Sequence, residues 1–373
     1  MWAVRLINLL RKPESKILAA GFCIMLLSFI NLNSIRDGAF LGSYSFKQLI
    51  WTFVAGLICL LVTRIRLQTI KEISVPIYIL SILLLIFVLF FGQEISGAKS
   101  WIKIGDLMSF QPSELVKITF IFVVAKFYSE LGAYSKSYLV KYLLGLIFFL
   151  LPCVLIMLQP DLGSALMLLI VSSSVIISFS YNRKVLFVIA IIVASLSLPV
   201  WNHALKDYQK ERIVSFIYPE RDPSGYGYNV IQSKVAIGSG KLVGKGLGNS
   251  SQAKLRFLPE KHTDFAFSVW SEQTGFLGAL LLISLYSFIV IYSLFYLNKI
   301  KDNFLQVLLF GLSSYFFFHL FINVAMTIGL FPVVGIPLLM FSYGGSSLMC
   351  GSIALGLIAL IISEYKDVNR LGL

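Results

Sequence analysis

The segment FLPEKHTDF (257–265) ends a polar stretch and sets Asp264 at the point where the chain turns apolar again. A carboxylate entering a low-dielectric pocket has its pKa pushed up and can act as a general base once the site is assembled. Capping the helix that follows is the plain alternative for this residue. That helix carries Glu272, eight residues on and expected near the same face. A second candidate is FQPSELVK (110–117), where Pro112 suits a first helical turn. Glu114 and Lys117 are three apart, so they share one helix face and can pair. An unpaired charge near a bilayer centre costs about 2.5–3.5 kcal/mol, which pairing reduces; close to the interface, ordinary snorkelling would account for both. In QPDLGSA (159–165), Asp161 either caps the next helix or faces the same site.

These groups must be held by membrane helices. Of 373 residues 58% are hydrophobic and 13% charged, and the mean hydropathy is +0.86, which excludes a water-soluble globular fold. About 20 apolar residues cross a bilayer core. Apolar runs fall near 17–35, 46–63, 73–91, 112–131, 139–158, 162–180, 185–203, 265–296, 303–330 and 336–363. The expected fold is therefore an all-α polytopic membrane protein of about ten spans in one domain, 1–373. A long loop at about 204–264 separates the seventh span from the eighth. The first run lacks a small-residue cleavage site and reads as a retained anchor. Lys and Arg concentrate at Arg5–Lys16, Arg64–Lys71, Lys136–Lys141, Arg183–Lys184, Lys299–Lys301 and Lys366–Arg370. By the positive-inside rule this puts both termini in the cytoplasm and the long loop outside.

The net charge of +13 has a second source in that loop, where ten Lys and Arg face five carboxylates before Asp264. Such a surface attracts anionic lipid or a phosphorylated substrate; nucleic acid does not fit that face of a membrane. YQKERI (208–213) reads as a short amphipathic helix. YPERDPSGYGYNVIQSKVAIGSG (218–240) mixes turn residues with Tyr226, Tyr228 and Gln232. GKGLGNSSQ (244–252) is no phosphate loop, because Gly246 follows the Gly-Lys pair and Ser239 stands where the first glycine belongs. Cys23, Cys59, Cys153 and Cys350 lie in apolar runs without paired spacing, and His203, His262 and His319 have no second ligand at metal-binding distance, so no metal site is assigned. Pro152, Pro199, Pro332 and Pro337 sit in or at the ends of spans, where they either kink helices or open a groove for a lipid tail.

Across nearly its whole length the chain resembles the SEDS family of bacterial shape, elongation, division and sporulation proteins, and most closely its RodA branch. The resemblance rests on GAKSWIKIG with FQPSELVK, QPDLGSA, YPERDPSGYGYNVIQSKVAIGSG, FLPEKHTDF and FSYGGSS (341–347), in that order. It implies a peptidoglycan glycosyltransferase of the bacterial cytoplasmic (inner) membrane, polymerising lipid II into glycan strands during elongation. The essential aspartate of the family falls on Asp264, its span-four Glu and Lys on Glu114 and Lys117, and its QPD aspartate on Asp161. We expect Asp264 to act as base and Lys117, Lys245 and Arg256 to steady the departing pyrophosphate, with His262 and Gln232 among the substrate contacts. A divalent cation, Mg or Mn, is expected with the substrate phosphates. The implied partners are a class B penicillin-binding protein as transpeptidase and the cell-elongation machinery, besides membrane lipids. Lys241, Asn249–Ser251 and Gln273 depart from the usual wording of the family. A flippase of lipid-linked precursors and a noncatalytic cell-wall scaffold are the competing functions. Interrupted segments do not recur in two halves, which counts against a transporter.

Overall fold

In the computed structural model, the described residues are 12–36, 38–95, 97–104, 108–134, 138–179, 202, 207–218, 220, 222, 225–255 and 257–370. Three helices come first: α1 (Pro13–Ser34), α2 (Tyr44–Val62) and α3 (Leu67–Phe91). Three short strands follow, β1 (Gln93–Ile95), β2 (Ala98–Ile104) and β3 (Met108–Phe110), then α4 (Pro112–Tyr134), α5 (Tyr138–Leu158) and α6 (Leu162–Phe179). The loop region holds α7 (Asp207–Ile217), α8 (Tyr226–Ser239) and α9 (Ser251–Lys254). The chain closes with α10 (Ala266–Leu297), α11 (Asn303–Thr327) and α12 (Gly345–Arg370).

Among the described residues, seven helices are long and apolar enough to cross a membrane: α1, α2, α3, α6, α10, α11 and most of α12. Apart from residue 202, the expected run at 185–203, with Pro199, lies outside the described residues. α4 and α5 pack among the seven. α4 is deeply enclosed, with Val116, Phe120, Ile121, Val123, Val124 and Ala125 all at zero exposure. Enclosure by α3, α5, α6 and α11 lets this helix carry Glu114, Lys117 and Lys126, charges that lipid would not solvate. By contrast α2 and α3 keep most of their apolar surface outward, as lipid-facing helices do.

The structure departs from the sequence reading in four places. GAKSWIKIG and the residues around it build an antiparallel sheet, order β1-β2-β3, pairing Gln93 with Trp101 and Ile102 with Phe110. Tyr226–Ser239, in a stretch read only as mixing turn residues with Tyr226, Tyr228 and Gln232, is helical, whereas YQKERI forms its short helix as expected. The last span starts at Gly345 rather than near 336. Residues 328–344 instead run as irregular backbone, and where it is buried, around 336–342, interior groups satisfy it: Asn323 donates to the Ile336 carbonyl, Tyr286 to that of Leu339 and Ser28 to that of Phe341. Pro332 and Pro337 lie in this segment; Pro152 lies within α5.

The fourth departure is a break in α10 at Gly275, with φ +68. The backbone groups it frees are taken up by the loop after α8. Lys245 and Gly246 donate to the carbonyls of Glu272 and Gln273, and Phe276 and Leu277 donate back to those of Lys241 and Leu242. Lys241 sits at φ +50, a left-handed conformation that favours glycine.

Candidate functional site

Four helices begin at one end of the bundle around a cavity of about 390 Å³. Its walls come from the start of α4 (Gln111, Glu114, Lys117), the start of α6 (Asp161, Ser164), the turn before α10 (Glu260, Thr263, Asp264) and the start of α12 (Tyr343, Ser346). Residues 333–337, the strand residue Trp101 and Arg212 of α7 complete it. Helix N-termini carry partial positive charge, so this end of the bundle suits an anion.

Asp264 stands in the turn ahead of α10 and does not cap it: the capping position is Phe265, without a side-chain bond. Burial, with Glu260 adding to it and Arg212 opposing, pushes the Asp264 carboxyl from 3.8 up to about 7. Among the described residues no donor reaches its carboxylate. Its backbone is fixed instead, by Asn323 Nδ2 donating to the Asp264 carbonyl at 3.0 Å. Gly335, at φ +72, brings the opposing chain so near that a Cβ there would lie 3.5 Å from Asp264 Oδ2. A proton acceptor poised near neutrality therefore faces an open cavity.

Glu114 and Lys117 form the expected pair, Nζ to Oε1 at 2.7 Å, with 3% and 1% exposure. Both are too deeply enclosed to snorkel. Tyr315 donates to Glu114 Oε2 at 3.1 Å, and His319 Nε2 lies 3.4 Å from Lys117 Nζ. The other imidazole nitrogen is 3.2 Å from the Pro337 carbonyl, which only accepts, so Nδ1 carries the proton and Nε2 faces the ammonium as an acceptor. Asp161 fulfils both readings: Oδ1 accepts from Ser164 N at 3.0 Å as a helix cap, and Oδ2 accepts from Gln111 Nε2 at 2.7 Å beside the cavity.

Other expected contacts are not brought there. Lys245 is held by Glu272 at 2.7 Å and by Ser251 at 2.9 Å, away from the cavity. Glu272 does not share a face with Asp264, because Asp264 precedes the helix and helical spacing does not reach it. Glu272 instead anchors the loop, accepting from Ser250 and from Ser251 N and Oγ. Gln232 sits on α8 outside the cavity lining, His262 lines a neighbouring cavity, and Arg256 lies outside the described residues. Arg212, Tyr315, His319 and Asn323 were not singled out by sequence. Only a polar residue inside an apolar span hinted at the last two.

No group of three or more His, Cys, Asp or Glu side chains converges among the described residues. With Asp161 already committed to Gln111 and Ser164, the side chains do not build a cage for the expected cation.

The family model for FtsW, RodA and SpoVE, described as cell cycle protein, matches residues 11–367. The peptidoglycan glycosyltransferase MrdB of Escherichia coli (strain K12) is 35% identical over 294 residues, covering 79% of each chain. The peptidoglycan glycosyltransferase RodA of Treponema pallidum is 29% identical over 422 residues, covering 91% of this chain and 96% of its own. The crystal structure of the rod shape determining protein RodA of Thermus thermophilus superposes with a TM-score of 0.69 at 26% identity, covering 94% of this chain and 96% of that one. A chain from a peptidoglycan synthase complex that coordinates polymerization and crosslinking gives 0.77 at 28% identity, covering 94% and 97%. The chain is a multi-pass membrane protein and belongs to the SEDS family of FtsW, RodA and SpoVE.

Proposed function

We propose that this protein is a peptidoglycan glycosyltransferase that polymerises lipid II during cell elongation, with Asp264 as the general base. The observation that carries the assignment of Asp264 is its carboxyl, raised to about 7 in a cavity it shares with Lys117, Glu114 and Arg212. In the reaction a sugar hydroxyl of one substrate attacks the anomeric carbon of the other. The new C–O bond forms as the bond to the pyrophosphate breaks, the electron pair leaves with the phosphate, and the hydroxyl proton passes to Asp264. A base with a pKa near the working pH suits that transfer. Positive charge must meet the developing phosphate charge, and Lys117, Arg212 and the helix N-termini supply it; Lys245 does not. Glu114, Tyr315 and His319 hold the Lys117 ammonium in place.

A divalent cation arriving with the substrate phosphates is part of this reading, and no step above is routed through it. So are location in the cytoplasmic membrane, cytoplasmic termini, and partnership with a class B penicillin-binding protein that cross-links the strands. The support for that partner is the likeness to a chain of a peptidoglycan synthase complex.

The test is a gel assay of purified protein on lipid II, with and without the transpeptidase partner, for wild type and Asp264→Asn. A glycan ladder from wild type alone is expected. Equal ladders from both would remove Asp264 as the base. No ladder from wild type under any condition would favour a flippase or scaffold.

A further inference from the structure

A second cavity, of about 380 Å³, lies beside the Asp264 cavity. Leu32 and Ile35 at the end of α1 give it an apolar floor, and Arg36 and Lys47 give it two positive charges. Among the described residues, no carboxylate lines it. Among the described residues neither cation is engaged in an ion pair. The Arg36 guanidinium lies over the Phe40 ring, 5.3 Å from its centroid.

The two cavities share a wall of three rings. Tyr44, at the start of α2, packs 4.5 Å from the His262 imidazole and 4.9 Å from the Tyr343 ring, centroid to centroid. Tyr343 also lines the Asp264 cavity, and its N–H donates to the His262 carbonyl at 2.9 Å. His262 itself is two residues before Asp264. Below the cavity, α2 turns Leu49, Phe53 and Leu57 outward, four residues apart and all exposed, forming an apolar track along one face. Cations at the head and an apolar track beneath them match an amphiphile with an anionic head.

Polymerisation joins two lipid-linked substrates, and the Asp264 cavity accounts for one pyrophosphate beside the reacting centre. We propose that the second cavity is a lipid-phosphate subsite in which Arg36 and Lys47 take the phosphate of the other polyprenyl-linked substrate. The wall of Tyr44, His262 and Tyr343 then guides its sugars toward Asp264. This rests on the glycosyltransferase reading above, although phosphate binding by the cavity can be measured without turnover.

The experiment is native mass spectrometry of the full chain with undecaprenyl pyrophosphate, undecaprenol or phosphatidylglycerol. Wild type is compared with Arg36→Gln, Lys47→Gln and the double variant, each checked for folding by gel filtration. Two undecaprenyl pyrophosphates on wild type, one on the double variant and no undecaprenol retention are expected. One on wild type, or two on the double variant, overturns the subsite. Phosphatidylglycerol displacing the second molecule as readily as its own kind makes this a bulk-lipid site and overturns the substrate assignment. In the lipid II assay the double variant should raise KM about tenfold with little change in kcat, the loss of a charge-assisted bond or two, whereas the charge-keeping pair Arg36→Lys with Lys47→Arg should not. A wild type that makes no glycan defeats the glycosyltransferase reading, and the binding counts then judge the cavity separately.

Discussion

Asn323 uses one amide nitrogen to tie two segments together, donating to the Asp264 carbonyl at 3.0 Å and to the Ile336 carbonyl at 2.8 Å. It sits fully buried in α11, so the turn carrying the base and the irregular segment opposite are both referenced to one core helix. Replacing it with Leu leaves two buried carbonyls without this donor, at about 1–3 kcal/mol. Asn323→Leu should melt earlier and lose kcat while Asp264 remains present. An unchanged kcat in protein confirmed as folded would detach Asn323 from the site.

Asp264 should impose a pH dependence on turnover. Its carboxyl titrates at about 7, so the rate at saturating lipid II should climb as pH rises through that value. Stability moves the other way. The folded state binds this proton more tightly than the unfolded state, whose carboxyl titrates near 3.8, so stability is lost as pH rises from about 4 to about 7. Asp264→Asn should therefore be inactive yet melt higher than wild type at pH 8, with the gap narrowing toward pH 5. A variant melting no higher at pH 8 would contradict the buried-carboxyl reading.

The ammonium of Lys117 depends on its three neighbours. Glu114→Gln leaves a buried cation without its counter-charge, and breaking one partner of a buried pair costs about 3–5 kcal/mol. Poor folding is the expected result, to be read from expression and gel filtration. His319→Ala is gentler: it should keep the fold and lower kcat about tenfold, whereas His319→Gln, which can still accept from the ammonium, should recover much of the rate. Equal rates for Ala and Gln would show that the imidazole does not position Lys117.

Gly163 marks where α6 meets the segment opposite it, since an added Cβ would lie 2.3 Å from the Val334 carbonyl oxygen. That backbone cannot yield as a flexible side chain would. Gly163→Ala should destabilise the protein by about 1–3 kcal/mol and reduce activity by displacing residues 333–337 from the cavity. Thermal unfolding together with the lipid II assay reads both effects.

The cation is expected to come with the substrate rather than reside on the protein. Mg, Mn or a chelator should then leave the melting temperature of the free protein unchanged, while chelation stops polymerisation. A melting temperature that rises with metal alone would reveal a resident site.

Much of this protein was legible in its sequence because a bilayer is a demanding solvent. Apolar runs of the right length must be helices there, and among the described residues seven of the ten expected runs appear as helices long and apolar enough to cross. The ordered motifs carried the family, and the three-residue spacing of Glu114 and Lys117 carried their pairing along one helix. The turn around Asp161 carried its capping position ahead of the next helix. What failed was everything that depended on long-range contact. Helical spacing put Glu272 with Asp264, but the helix starts after Asp264, and Glu272 went to the loop with Lys245. The run at 336–363 is apolar throughout, yet its first part is irregular backbone, because Asn323, Tyr286 and Ser28 satisfy carbonyls that lipid would have left unpaired. His319 and Asn323 read as isolated polar residues within a span. Their partners, Lys117, Pro337, Asp264 and Ile336, lie on other segments of the chain, and only packing α4 and α11 against the turn before α10 joins them into a site.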